Sequence, residues 1–307
     1  MTERDFPIPG RLNLAIAGLQ VAVLGGILWA AGRLGAWWCA LLLAPAWGVV
    51  MNATYSLIHE AEHNLFHPHR RVNDAAGVLL ALLFPAPFHL IRQGHLGHHL
   101  RNRSDDEAFD LYFAEDTAGW KWVQLYGILC GCYWAVVALS SVVAMIHPSF
   151  LRPDRARLDR PTAALLESLN PRYERLIRVE AMAILLLHGG LIWTWSIPVT
   201  HYLLVLYGFG LSWSGFQYVH HFGTVRDVRR GARNLKTWTV LDAVWLNHNY
   251  HLNHHMSPTV PWIHLPRLYT GPEFAREGLL RAYLRMWRGP RLTTARVENR
   301  YAGLVIR

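Results

Sequence analysis

The apolar residues of this chain come in long runs, not in the short amphipathic stripes of a soluble fold. A bilayer core needs about 20 apolar residues in a helix, and residues 12–34 and 37–58 each supply that length with almost no charge. They predict a helical hairpin. A second pair, 178–197 and 201–219, is separated only by Pro198, Val199 and Thr200, too few residues for a soluble loop. The expected fold class is an all-α integral membrane protein with four transmembrane helices in two hairpins, forming one domain over 1–307.

Residues 122–146 are also long enough to cross. A fifth crossing, however, would put the histidines near 59–99 and those near 251–255 on opposite faces of the membrane. The stretch is therefore expected to form a re-entrant or surface-lying hairpin, with Gly127 and Gly131 as bend points. The loop 147–178 holds Arg152, Arg155, Arg157, Arg160, Arg172, Arg175 and Arg178 against Asp154, Asp159, Glu167 and Glu174. Positive loops stay on the cytoplasmic side, which sets the expected orientation. Toward the C-terminus, Phe274, Leu279, Leu280, Tyr283, Leu284 and Trp287 share a helical face, with Arg276, Arg281, Arg285 and Arg288 around it. This pattern predicts either an interfacial helix or one packed on the core. Segment 1–10 contains Glu3, Arg4 and Asp5, and no small-residue cleavage site follows the first run, so that span is expected to be retained.

Composition agrees. Hydrophobic residues make up 52% of the 307, with 14 Trp and a positive mean hydropathy, which argues against an ordinary soluble enzyme. The three cysteines, Cys39, Cys130 and Cys132, lie in or beside apolar runs and build neither a disulfide framework nor a zinc ribbon. The net charge of +9 sits mostly on loop and tail arginines. With apolar runs between them, an anionic membrane surface is a better partner than nucleic acid.

Of 18 histidines, eight form three tight groups: His59 and His63 in HEAEH, His95, His98 and His99 in HLGHH, and His251, His254 and His255 in HLNHH. At this histidine frequency two HxxHH motifs would arise by chance on the order of 0.002 times per chain. Spacings of i, i+3 and i+4 fall on one helix face, so each group can aim its imidazoles at a common point, a geometry suited to metal. Lone histidines such as His188 and His201 are expected to be satisfied by core hydrogen bonds. HEAEH follows the second span, and HLNHH comes after the fourth, beyond the pair His220 and His221, so all reach the cytoplasmic side together.

Imidazole suits zinc, copper, iron and nickel alike, so ligand number is more informative than ligand type. A catalytic zinc takes three protein ligands and a water. Eight or nine histidines oversupply one ion and suffice for two. HEAEH also matches the HExxH of zinc proteases, with His59 and His63 as ligands and Glu60 as base, but that reading leaves HLGHH and HLNHH unused. A metal transporter is disfavoured because transport sites sit near the bilayer midplane.

HEAEH, then HLGHH, then a distant HLNHH after another hairpin resembles the three histidine boxes of the membrane fatty acid desaturase and hydroxylase superfamily. HNLFH, RNRSDDE and HHMSPTVPW around the boxes are similar to it too, and the likeness runs over roughly 51–266. The resemblance implies a non-haem di-iron centre that activates O2. It also implies ligand roles for His59, His63, His95, His98, His99, His251, His254 and His255, with His221, or alternatively His220, completing the set. Gln217 would hold a metal-bound water. Because the third box opens with His251 and not glutamine, the chain departs from the front-end desaturases. No fused haem domain is visible, so an external donor such as ferredoxin or a cytochrome is implied.

Metal-bound histidines usually pass their other ring nitrogen to a carboxylate or carbonyl, and Glu60, Glu62, Asp105 and Asp106, with Glu107 and Asp110, are candidates for that role. The implied substrate is a fatty acyl chain, as free acid, thioester or phospholipid, and the first expected reaction is desaturation. Lipid or carotenoid hydroxylation, ketolation and oxidative decarboxylation are the alternatives within the superfamily.

Overall fold

The computed structural model describes residues 6–147 and 160–306. Arg152, Arg155 and Arg157 of the basic loop, with Glu3, Arg4 and Asp5, lie outside them. The chain opens with α1 (Gly10–Ala31) and α2 (Trp37–Glu62), packed on each other. On α1 the buried residues Asn13, Ala17, Gln20, Leu24, Leu28 and Ala31 follow a 3.6-residue stripe, while Leu12, Leu19 and Trp29 on the other side are exposed. An apolar outer face around a packed stripe belongs to a helix in lipid. α2 changes character along its length: Leu41 and Leu42 are exposed, but every residue from Met51 to Glu62 is buried.

α3 (Arg70–Leu83) and α4 (Phe88–Arg101) follow, bent by 102° about the segment holding Pro85 and Pro87. α5 (Ala118–Leu129) and α6 (Cys132–Ile146) are bent by 87°. The bend falls at Gly131, whose φ of +83° is readily available to glycine. Residues 122–146 are thus broken, as expected, but Gly127 lies inside α5 and is no bend point.

After the short α7 (Arg160–Glu167) come α8 (Glu174–Thr194) and α9 (Val199–Val219). α2 and α9 make the most extensive helix contact. Gly208 lets them close: a Cβ there would lie 2.5 Å from the Ala44 carbonyl oxygen. Asn52 Nδ2 also donates to Ser212 Oγ across the contact at 2.8 Å. Small residues permit such approach between helices in lipid.

Among the described residues, three helices are long and apolar enough to cross a membrane: α1, α2 and the helix Pro171–Thr194 that contains α8. Counting each bent pair as one span raises the number to five. α9 has the length, but it is not among the three, its apolar content diluted by His201, Ser212, Ser214 and Gln217.

The remaining helices, α10 (Thr239–Val244), α11 (His251–Met256) and α12 (Leu279–Met286), are short. They are tied down by two-residue strands: β1 (Leu111–Tyr112) pairs in parallel with β4 (Arg291–Leu292), and β2 (Leu235–Lys236) with β3 (Glu277–Gly278). α12 begins after Phe274, and its faces divide the two expected roles. Ala282 and Met286 are buried against Leu125, Val219 and Phe222, while Leu280, Leu284 and Trp287 are exposed.

Candidate metal centre

The buried end of α2 carries His59 and, just past its last residue, His63. α4 brings His95, His98 and His99; the turn after α9 brings His220 and His221; α11 brings His251, His254 and His255. Nine of these imidazoles fall into two groups. His59, His63, His95, His99 and His254 form one, and His98, His221, His251 and His255 the other, with the nitrogens of each group within 4.8 Å of one another. Each HxxHH motif therefore divides its histidines between the groups instead of aiming all three at one point.

The nitrogens meet head on. Nε2 of His63 lies 2.8 Å from Nε2 of His95, which lies 3.1 Å from Nε2 of His99, itself 2.9 Å from Nε2 of His254. In the other group, His251 Nε2 is 3.1 Å from His221 Nε2 and 3.2 Å from His255 Nε2. Each imidazole Nε2 carries one proton or one lone pair, so His95, His99 and His251, each facing two other Nε2 atoms, cannot bond both. Two nitrogens bound to one ion at about 2.1 Å stand roughly 3.0–3.4 Å apart, close to what is observed. His59 Nε2, buried without a partner, fits the same conclusion. The residues present suit two metal ions.

Burial, reinforced by neighbouring imidazoles, holds His221, His251, His254 and His255 well below the usual histidine range. They are neutral at pH 7, the form that ligates metal.

Of the six carboxylates expected as outer partners, Glu107 is the one that hydrogen-bonds a clustered imidazole among the described residues. His98 Nδ1 meets Glu107 Oε1 at 3.0 Å, and His221 Nδ1 donates to the Gly231 carbonyl at 2.8 Å, which fixes both rings with Nε2 inward. Asn102 clamps the same Gly231 carbonyl at 3.2 Å. Burial pushes the Glu107 carboxyl upward, but His98 and Arg101 outweigh it and hold the group below the ordinary range. Glu62 comes no closer than 4.0 Å to His95 Nδ1. Glu60 instead accepts from the Trp262 backbone N–H at 3.2 Å. Asp105 pairs with Arg226 and Arg296, and Asp106 accepts from Asn299. Glu60, Asp105 and Asp106 therefore anchor the surroundings and do not touch imidazoles. Asp110, buried, takes Arg103, the Tyr218 hydroxyl and the Gly223 N–H.

His220 stands outside the nine, its Nδ1 donating to the Arg233 carbonyl at 3.2 Å. Gln217 makes no hydrogen bond among the described residues and borders a narrow cleft with His220 and His248. His248, outside the three motifs, has its ring 4.8 Å from that of His59 and 5.4 Å from that of His251. It stands three residues before His251, but α11 begins only at His251, so that spacing carries no helical meaning. His188 and His201 are satisfied as expected, on the carbonyls of Leu82 and Ala31.

Comparison with curated proteins returns no match. A family model described as Fatty acid desaturase matches residues 35–290, which include every one of the nine histidines. The chain belongs to the fatty acid desaturase family.

Proposed function

We propose that this protein is a membrane di-iron oxygenase that oxidises a C–H bond of a fatty acyl chain, and that it introduces a double bond using O2 and electrons from an external carrier such as a ferredoxin or cytochrome. The observation that carries the reading is the division of nine inward-facing imidazoles into groups of five and four. Bound there, two irons would supply the oxidising power that no side chain has. The protein supplies position: His59, His63, His95, His99 and His254 would hold one ion, and His98, His221, His251 and His255 the other. Glu107 and the Gly231 carbonyl orient His98 and His221.

The four-span topology, with α9 as the fourth crossing and all three histidine motifs facing the cytoplasm, belongs to the same proposal. It is supported by the convergence of the α2 and α9 ends beside α4 and α11. The close α2–α9 contact fixes those ends relative to each other.

The test is elemental analysis of the purified protein, followed by product mass. About two irons per chain are expected, falling when His98 or His254 becomes alanine, with an acyl product lacking two hydrogens. A product gaining one oxygen would move the assignment to hydroxylation. A single zinc that survives His254→Ala but not His63→Ala would overturn the di-iron reading.

A further inference from the structure

The narrow cleft beside the candidate centre encloses about 30 Å3, room for one water molecule. Its inner wall runs along Tyr55 and Ser56 of α2, Gln217 of α9, and His220 and His248. Its mouth lies between Trp245, at the end of α10, and Leu279, at the start of α12. Both helices turn apolar residues outward here: Trp238 is 80% exposed, Val240 73%, Leu280 69% and Leu284 57%. Such a concentration is costly in water.

Three observations say that lipid covers it. Trp245 Nε1 donates at 3.3 Å to the carbonyl of Val49, which lies ten residues before His59 and so about 15 Å down the spanning helix α2. The α10 end thus lies against the flank of a spanning helix. Arg276 then clamps the two walls of the mouth, donating to Asp242 of α10 at 2.7 and 2.8 Å from just before β3 and α12. Finally, of the three arginines on and just beyond α12, Arg285 is paired with Glu277, but Arg281 and Arg288 are exposed and make no ion pair among the described residues. Two uncompensated guanidinium groups above an apolar face match the layering of an anionic membrane surface.

We propose that α10 and α12 seat the cleft mouth in the membrane interface, and that Arg281 and Arg288 draw anionic phospholipid to it, so that an acyl chain enters sideways from the bilayer by parting the cleft walls. That the cleft leads to the reacting centre rests on the function proposed above. The seating and the lipid binding do not.

The experiment uses the full chain in vesicles of phosphatidylcholine and phosphatidylglycerol. With Cys39, Cys130 and Cys132 changed to serine, nitroxides are placed at Val240→Cys and Leu284→Cys, with Arg230→Cys as the aqueous reference. Labels at 240 and 284 are expected to meet oxygen more than a polar nickel chelate, and the label at 230 the reverse. Nickel access at 240 and 284 equal to that at 230 would overturn the seating.

A phosphatidylglycerol with a photoactivatable acyl chain then reports entry. Adducts are expected within 216–220 and 245–249, reduced about tenfold in the Arg281→Gln/Arg288→Gln protein. Adducts confined to the outer faces of α1 and α8 would overturn the portal, and equal labelling by a phosphatidylcholine probe would overturn the role of the arginines. Neither readout needs metal or turnover, so metal-free protein should give the same result, and failure of the oxygenase reading would be seen separately.

Discussion

Replacing Asp110 with asparagine keeps the shape of the side chain and removes one buried charge. Arg103, 1% exposed, donates to this carboxylate through Nη1 and, at 3.2 Å, through Nη2. The Tyr218 hydroxyl at 2.6 Å and the Gly223 N–H at 2.7 Å complete its donors. In Asp110→Asn the guanidinium is left buried without its counter-charge, which costs about 3–5 kcal/mol and lowers Tm by roughly 6–15 °C for a chain of this size. The loss should also reach the candidate centre, because Gly223 is two residues from His221 in one turn. Thermal unfolding in detergent and metal content measured on the same preparation check both. A Tm within about 2 °C of wild type, with metal unchanged, would refute the reasoning.

The pH dependence gives a second check on the same group. Burial pushes the Asp110 carboxyl up, yet Arg103 and its hydrogen bonds outweigh that and hold it below the ordinary aspartate range. A carboxyl depressed in the folded state contributes stability above its unfolded pKa and loses it as the pH falls through the folded value. Wild type should therefore lose this contribution only below about pH 4, and Asp110→Asn should lack that component of the acid transition.

Four further outcomes follow from the same contacts. Glu107→Gln removes the charged partner of His98 Nδ1 and should weaken metal binding about 10–100-fold, read by competition with a chelator. Gly208→Leu drives a side chain into the Ala44 backbone; it should cost about 1–3 kcal/mol or more and reduce bound metal, since α2 and α9 carry ligand candidates at their ends. Chelated protein should lose stability as the pH falls below about 6.5, by up to about 1.4 kcal/mol per pH unit for each of His221, His251, His254 and His255, because burial keeps them unprotonated only in the folded state. Metal-loaded protein should resist over the same range, and identical acid profiles with and without metal would count against the site. His201→Ala removes a bond to the Ala31 carbonyl and should leave metal content unchanged by elemental analysis.

Long apolar runs made the helices at the N-terminus and at 174–219 legible, because a single segment satisfies its own backbone in lipid only as a helix. The histidine spacing made the candidate centre legible for a related reason: i, i+3 and i+4 have a fixed angular meaning on a helix. What spacing cannot carry is any partner that arrives through a loop. The Gly231 carbonyl on His221, the Asn102 clamp and the place of His248 depend on how 223–250 folds back, a segment with no periodicity to read. The acidic run 105–107 illustrates the limit. Three adjacent carboxylates look equivalent in sequence, yet Asp105 and Asp106 turn outward to Arg226, Arg296 and Asn299, and only Glu107 reaches an imidazole.

The two HxxHH motifs are related by more than their letters. On a helix of 3.6 residues per turn, positions i and i+4 lie about 40° apart, while i+3 is about 100° from i+4, on the other side of i. In α4, the i and i+4 residues His95 and His99 serve the group of five and the i+3 residue His98 serves the group of four. In α11 the assignment is reversed, with His251 and His255 in the group of four and His254 in the group of five. Each helix thus wedges between the groups and gives two imidazoles to one and one to the other. Together the two motifs give three to each, and His59, His63 and His221 bring the totals to five and four. A single ion would need only one of these helices to present its pair. The reciprocal use of the i+3 position gives the motif a purpose only if there are two centres to divide it between, and so the motif itself argues for a paired site.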